Sequence, residues 1–142
     1  VFAYQIKGYL KVVNNIKDYY DLNMDMLDFD NLKDVFLSGT DIITRVQDTV
    51  PTIYGKNADV KGSILGDGSK INGTVENSII FRDVVVEEGA VVRNSIILSD
   101  AVIKTGSHLD YVIADKGVVV KQHTVLTGTE EVQVVVDKGK TV

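Results

Sequence analysis

The chain of 142 residues has no cysteine, no tryptophan, a single proline and two histidines. Without cysteine, neither a disulfide framework nor a thiolate metal site is available. No apolar run reaches membrane-spanning length, and no signal-peptide pattern opens the chain. Positive charge is short: 15 Lys and Arg stand against 20 Asp and Glu, a net charge of -5. That balance argues against nucleic acid or an anionic membrane as the main partner, and leaves a local basic pocket open. A cytoplasmic protein is the expectation. An initiator Met is also lacking. Val1-Phe2-Ala3-Tyr4-Gln5-Ile6 reads as a strand with Phe2, Tyr4 and Ile6 on one face and nothing to pair with, so a piece of a longer protein is expected.

What the chain has in plenty is regularity. Asn77-Ser78-Ile79-Ile80 returns seventeen residues later as Asn94-Ser95-Ile96-Ile97. The same step links Asp83 to Asp100, Val85 to Val102 to Val119, Val86 to Ile103 to Val120, and Val92 to Leu109 to Leu126. A unit this short cannot bury its own apolar face, so the repeat implies a solenoid. Ten of the 12 glycines follow Pro51, spaced between short Val, Ile and Leu runs. In Val86-Glu87-Glu88-Gly89-Ala90-Val91-Val92 an aliphatic residue is followed six positions on by another, with a small residue, Ala90, at the fifth. Ile103 to Leu109 repeats this with Ser107, Val120 to Leu126 with Thr124, and Leu65 to Ile71 with Ser69. This hexapeptide pattern predicts a mainly β chain, a left-handed parallel β-helix with three faces per coil. Three hexads need eighteen residues, so seventeen implies one corner shorter by a residue. Leu65 precedes Val86 by twenty-one residues, which predicts a bulging insertion at Asn72–Glu76. The competing fold is an antiparallel sandwich, which has no reason to repeat sequence at a fixed step.

Before Pro51 the texture differs, and a domain boundary is expected there: residues 1–50 as one unit, 51–142 as the β-helix. Residues 1–13 read as strand, turn and strand, broken at Gly8. Asn14-Asn15 offers an N-cap to a helix with Ile16, Tyr19, Tyr20, Asn23 and Leu27 at helical spacing. Its Asp18, Asp21 and Asp25 read as a solvated face rather than a metal site. Asp28 to Asp30 can cap a second helix through Leu32, Val35 and Phe36, ended by Ser38-Gly39. Residues 40–50, with Ile42, Ile43, Thr44 and Val46, read as an extended linker or edge strand. Gly128 to Val142, with Val132, Val134, Val135 and Val136, is expected to cap the open end of the solenoid.

Residues able to carry chemistry are few. His108 and His123 read as surface corner residues. Some hexapeptide β-helices are acyltransferases with a catalytic His, and others are carbonic anhydrases that need three His, more than this chain holds. Gly66-Asp67-Gly68 lacks the flanking strand and helix of a phosphate-binding fingerprint and reads as a corner. Lys104, Lys116 and Lys121 read as solvated surface, with contact to an anionic effector at the junction with a missing domain as the alternative for some of them.

One further pattern carries a resemblance. Gly8-Tyr9-Leu10-Lys11-Val12-Val13-Asn14-Asn15, then Tyr20 and Asn23-Met24-Asp25-Met26-Leu27, resembles the end of the catalytic domain in ADP-glucose pyrophosphorylases (glucose-1-phosphate adenylyltransferases). There the pattern reads Gly-Tyr-Trp-x-Asp-Val-Gly-Thr and later Ala-Asn-Met-Asp-Leu-Leu. Gly73-Thr74-Val75-Glu76-Asn77-Ser78-Ile79-Ile80-Phe81-Arg82 looks most like the non-catalytic subunits of that family. The resemblance implies a C-terminal left-handed β-helix preceded by an α/β remnant of a nucleotidyltransferase domain. It implies a part in glycogen biosynthesis, self-association or association with a catalytic subunit, and an anionic small-molecule effector. In catalytic members an acidic residue at the position of Val12 helps hold the metal. Mg²⁺ and ATP are therefore implied for those members only, since valine offers no oxygen ligand. Leu10 replaces the Trp, and Asn14-Asn15 the Gly-Thr pair. The expectation is a regulatory, non-catalytic module in which no residue has a catalytic, cofactor-binding or metal-ligating role. The alternatives are a fragment of an active sugar-1-phosphate nucleotidyltransferase and a hexapeptide acyltransferase.

Overall fold

In the computed structural model, residues 2–5, 8–37, 39, 42–43 and 48–142 are described. From Ile53 onward every strand is two or three residues long, and each pairs in parallel with the strand one coil away. The strands stack into three five-stranded sheets. The first face holds Ile53–Tyr54, Lys70–Ile71, Val85–Val86, Val102–Ile103 and Val119–Val120. The second holds Asp59–Lys61, Thr74–Glu76, Val91–Arg93, His108–Asp110 and Val125–Thr127, and the third Ile64–Leu65, Ile79–Ile80, Ile96–Ile97, Val112–Ala114 and Val134–Val136. This is the parallel β-helix of hexapeptide repeats. Its all-parallel ladders exclude the antiparallel sandwich.

The repeat aligns residues that are partners in space. Val85, Val102 and Val119 are in register, as are Val92, Leu109 and Leu126. Inward columns run through Ile71, Val86, Ile103 and Val120, through Val75, Val92 and Leu109, and through Ile80, Ile97 and Ala114, all buried. Two positions before each sits a second inward residue, at many positions a small one such as Ser69, Ala90, Ser107, Ser78 or Ser95, all buried. Each buried Val, Ile or Leu contributes roughly 1.5–3 kcal/mol.

One expectation at the start of the repeat is overturned. Ile71, not Leu65, lies beneath Val86, and the step from Lys70 to Val85 is fifteen residues. No bulge exists at Asn72–Glu76. Thr74–Glu76 is a regular strand of the second face, and the corner before it, Asn72-Gly73, is two residues shorter than Glu87-Glu88-Gly89-Ala90. The tight corner is why residue 73 is glycine. A Cβ there would lie 2.3 Å from the Ala90 carbonyl oxygen and 2.7 Å from that of Glu87.

The third face is apolar on both sides. Its outward Ile79, Ile96 and Ile113 are buried, as are the inward Ile80, Ile97 and Ala114. A sheet buried on both faces loses the apolar-polar alternation. The cover over its middle is α1 (Ile16–Met24), capped as expected by Asn15, whose side chain accepts from the Asp18 backbone N–H. A single 3₁₀ turn, Asp25–Leu27, leads to α2 (Phe29–Phe36), capped by Asp28. Among the described residues no strand precedes Ile53, so the strand-turn-strand expected over residues 1–13 is not formed where it is described. Alternation alone does not make a strand when no edge is there to pair with it. Val1, Ile6, Ser38, Thr44 and Val46 lie outside the described residues.

At the far end Val134–Val136 adds the last strand to the third face, and Thr141 bridges to Val119 on the first. Ala114 to Val136 is a step of twenty-two residues, so an insertion around residues 128–133 loops out before this strand. Val132 belongs to that loop and is 71% exposed, unlike the buried Val136.

Candidate functional site

A buried contact between the helical segment and the solenoid is built around Tyr20. Helical spacing turns Tyr20 onto the third face, where it is 3% exposed and clusters with Ile96 and Ile113; Tyr19, Met24, Leu98 and Tyr111 pack around this group. The Tyr20 hydroxyl donates to the Asn94 carbonyl at 2.7 Å. Its ring lies 6.2 Å from that of Tyr111 at 45°. Asn94 and Tyr111 both sit at corners with positive φ, 45° and 54°, one coil apart. Burial pushes the Tyr20 hydroxyl pKa up, and Tyr111 and the carboxylates of Asp110, Glu130 and Asp21 add to the shift. The group stays neutral and donates. A polar groove of about 480 Å³ opens beside it, lined by Lys11, Lys17, Asp21, Asp25 and Glu130 among others.

Four of the charges of this groove are already paired, Lys17 with Asp21 and Lys11 with Asp25. Lys17 bonds Asp21 at 2.9 Å, one helical turn away. Asp25 accepts from the Lys11 ammonium and from the Tyr9 hydroxyl, each at 2.7 Å. Burial alone raises the Asp25 pKa, but the two donors outweigh it and hold the carboxyl below its usual range. Burial and the same carboxylate push Tyr9 up to about 12. The three aspartates of this segment therefore serve local contacts: Asp18 accepts from the Asn14 N–H, Asp21 holds Lys17, and Asp25 ties the Tyr9–Lys11 strip to the end of α1. Among the described residues no group of three or more His, Asp or Glu could hold a metal. Val12 is 66% exposed on that strip, with an alkyl side chain that ligates nothing.

The other sequence candidates scatter. His123 stands at a first-to-second-face corner with φ 58°, its ring over Gly106. His108 is not at a corner; it points outward from a strand of the second face, between Val91 and Val125. Gly66-Asp67-Gly68 turns from the third face to the first, with the Gly68 N–H on the Val50 carbonyl and the Asp67 carbonyl accepting from Asp83. Lys104 and Lys121 sit at successive corners, and Lys116 is exposed at another. No two of these candidates form a shared site. The Tyr20–Asn94–Tyr111 junction was not singled out from sequence. A signal for it existed: two consecutive isoleucines, Ile79-Ile80 and Ile96-Ile97, cannot both face inward on a strand of period two, so the outward ones needed a cover.

Residues 48–139 match the model of the GlmU-like C-terminal hexapeptide family. The chain belongs to that family. Within this hexapeptide family, its resemblance to pyrophosphorylase-type proteins is borne out by individual relatives. It is 40% identical over 139 residues to the glycogen biosynthesis protein GlgD of Bacillus subtilis, covering 98% of this chain and 40% of that protein. GlgD of Geobacillus stearothermophilus is 43% identical over 63% of this chain and 33% of its own length. Glucose-1-phosphate adenylyltransferase of the same organism is 36% identical over 64% of this chain and 24% of its own. The chain thus spans two fifths or less of the length of these curated relatives. No helix among its described residues is long and apolar enough to cross a membrane.

Proposed function

We propose that this chain is the β-helical assembly and regulatory module of a glycogen-biosynthesis protein of the glucose-1-phosphate adenylyltransferase type, and that the parent protein is a non-catalytic subunit. Val12 carries this reading. It stands where the resemblance implies a metal-holding carboxylate, and nucleotidyl transfer depends on metal and charge clamps. Support comes from the part of the chain before the solenoid, where Leu10, Phe29, Phe36 and Leu37 are exposed. An apolar set of this kind suits packing against the remainder of a nucleotidyltransferase-like domain. The module then carries that domain on its third face through Tyr20 and associates with copies of itself or with a catalytic subunit in the cytoplasm. An anionic small molecule acts as the effector of the assembly.

The test mixes the full-length parent protein with a catalytic glucose-1-phosphate adenylyltransferase subunit. ADP-glucose formation is then measured from ATP and glucose 1-phosphate, with each protein alone and with both together. The expected result is negligible turnover by the parent alone, and a changed rate or effector response in the mixture. Turnover by the parent alone at the level of a catalytic subunit overturns the reading, as does a mixture that behaves like the catalytic subunit by itself.

A further inference from the structure

The short corner has a second consequence, a chemical one. Asn72-Gly73 is the single Asn-Gly pair in the chain. An asparagine followed by glycine is open to attack of the glycine amide nitrogen on its own side-chain carbonyl carbon, because no side chain blocks the approach. Whether a folded chain permits this depends on whether that amide is free. An N–H held by a fixed acceptor neither gives up its proton nor swings toward the side chain.

The chain contains its own controls. Asn77-Ser78 and Asn94-Ser95 are also small-residue pairs, but the Ser78 N–H donates to the Ser63 hydroxyl and the Ser95 N–H to the Ser78 hydroxyl, each at 3.1 Å. Both asparagines are further fixed in left-handed backbone, φ 44° and 45°. Asp67-Gly68 could form the same cyclic imide by loss of water, but the Gly68 N–H donates to the Val50 carbonyl at 2.7 Å. The Ala58 N–H after Asn57 donates to the Gly55 carbonyl at 3.1 Å. Around Asn72 the amide of residue 72 itself donates to Val86 and that of residue 74 to Ala90, whereas the Gly73 N–H meets no acceptor among the described residues. The two-residue deletion explains the gap. The longer corners place extra residues between these two ladder bonds, and here one amide must serve the whole turn. Asn72 is exposed, so water reaches the product.

We propose that Asn72 is a site of spontaneous covalent modification, selective because the shortened corner leaves the Gly73 amide free. The Gly73 nitrogen, losing its proton, bonds to Cγ of Asn72. The Cγ–Nδ2 bond breaks and ammonia leaves, taking up a proton. Water then opens the five-membered imide at one carbonyl or the other, giving aspartate or isoaspartate at position 72. No oxidant, metal or enzyme is required. Isoaspartate adds a methylene to the main chain at a corner where the Gly73 backbone already runs tight against the carbonyls of Ala90 and Glu87. The modified chain therefore loses stability.

The experiment incubates the folded chain at mildly alkaline pH and digests it with trypsin at low pH. Cleavage after Lys70 and Arg82 places Asn72 and Asn77 in one peptide, so fragmentation compares them directly. The expected result is an amide-to-acid mass gain at Asn72 that grows with time, with Asn77 and Asn94 unchanged. Isoaspartyl methyltransferase should label residue 72 and leave residue 67 unlabelled, and the label should vanish in Asn72→Gln. Modified chains should melt earlier than fresh ones. Asn72 remaining an amide in the folded chain while converting in urea overturns the proposal, as does equal conversion at Asn77 or Asn94.

Discussion

The Tyr20 hydroxyl hydrogen-bonds the Asn94 carbonyl at 2.7 Å across 74 residues of sequence. That bond and the buried ring above Ile96 and Ile113 fix α1 to the solenoid. Tyr20→Phe keeps the ring and removes the donor, for a loss on the order of 1 kcal/mol. Tyr20→Ala also empties the packing, at roughly 3–5 kcal/mol by analogy with other buried aromatics. The solenoid does not depend on the helix for its own columns. Hydrogen exchange should therefore speed up across residues 16–24 in Tyr20→Ala while amides around Ile103 keep their protection. Loss of protection in both would show that the helix and the solenoid unfold as one unit.

The inward columns tolerate no charge. Leu109 is fully buried between Val92 and Leu126. Leu109→Ala should cost about 2–5 kcal/mol. Leu109→Asp buries an unpaired carboxylate, for which no partner exists on the column, and should abolish the folded state. Val125→Asp, on an exposed outward position one residue from that column, should leave the melting temperature almost unchanged. Thermal melts of the three variants separate a column effect from a general dislike of charge on strands.

The columns were legible in the sequence because a parallel ladder copies its register into residue spacing: Val85, Val102 and Val119 are seventeen apart since each stacks on the last. The phase of the first coil was not legible. Leu65 to Ile71 and Val86 to Val92 are both hexads with a small fifth residue, yet the first turns from the third face to the first and the second from the first face to the second. The third-to-first and first-to-second corners both carry a hexad, while the second-to-third corner steps only five residues, as from Val92 to Ile97, so a hexad alone cannot say which of two corners it turns. A deleted corner therefore looked like an inserted bulge. The Tyr9–Lys11–Asp25 contacts were hidden for another reason. They join residues with no shared period, and only the path of the chain after Gly8 brings them together.

The deleted corner makes its own prediction about backbone space. Gly73→Ala drives a Cβ against two carbonyl oxygens of the next coil, and backbone cannot move aside as a side chain can. A loss of about 1–3 kcal/mol is expected. Gly117 lies at an open corner with φ 67°, so Gly117→Ala meets no atom within 4 Å and is burdened only by its left-handed backbone. Urea midpoints should fall further for Gly73→Ala than for Gly117→Ala. The reverse order would mean that conformation, not crowding, governs these corners.

Ser95 ties two coils together through one hydroxyl. Its Oγ donates to the Arg93 carbonyl and accepts from the Val112 N–H at 3.0 Å, and all three groups lie at the same corner column. Ser95→Ala leaves a buried N–H without an acceptor, at a cost of about 1–3 kcal/mol. Ser63→Ala, on the exposed first coil, removes the equivalent acceptor from Ser78 and should cost less because water reaches that end. Denaturant melts of the two single variants check the order.

Glu87 gives the solenoid a pH dependence with a definite sign. Its carboxylate accepts from both the Thr105 backbone N–H and the Thr105 hydroxyl at 2.9 Å, bridging successive corners. Those bonds, the backbone one foremost, hold its carboxyl below the usual carboxylate range. The folded value is thus lower than the unfolded one. Its stabilisation is complete above the ordinary carboxylate range and is lost as pH falls through the folded value. The contribution is small because solvent screens the corner. Glu87→Gln should lower the urea midpoint at neutral pH, and the gap between variant and wild type should close on acidification. A gap that stays constant from neutral to acidic pH would mean that the charge on Glu87 plays no part in holding Thr105.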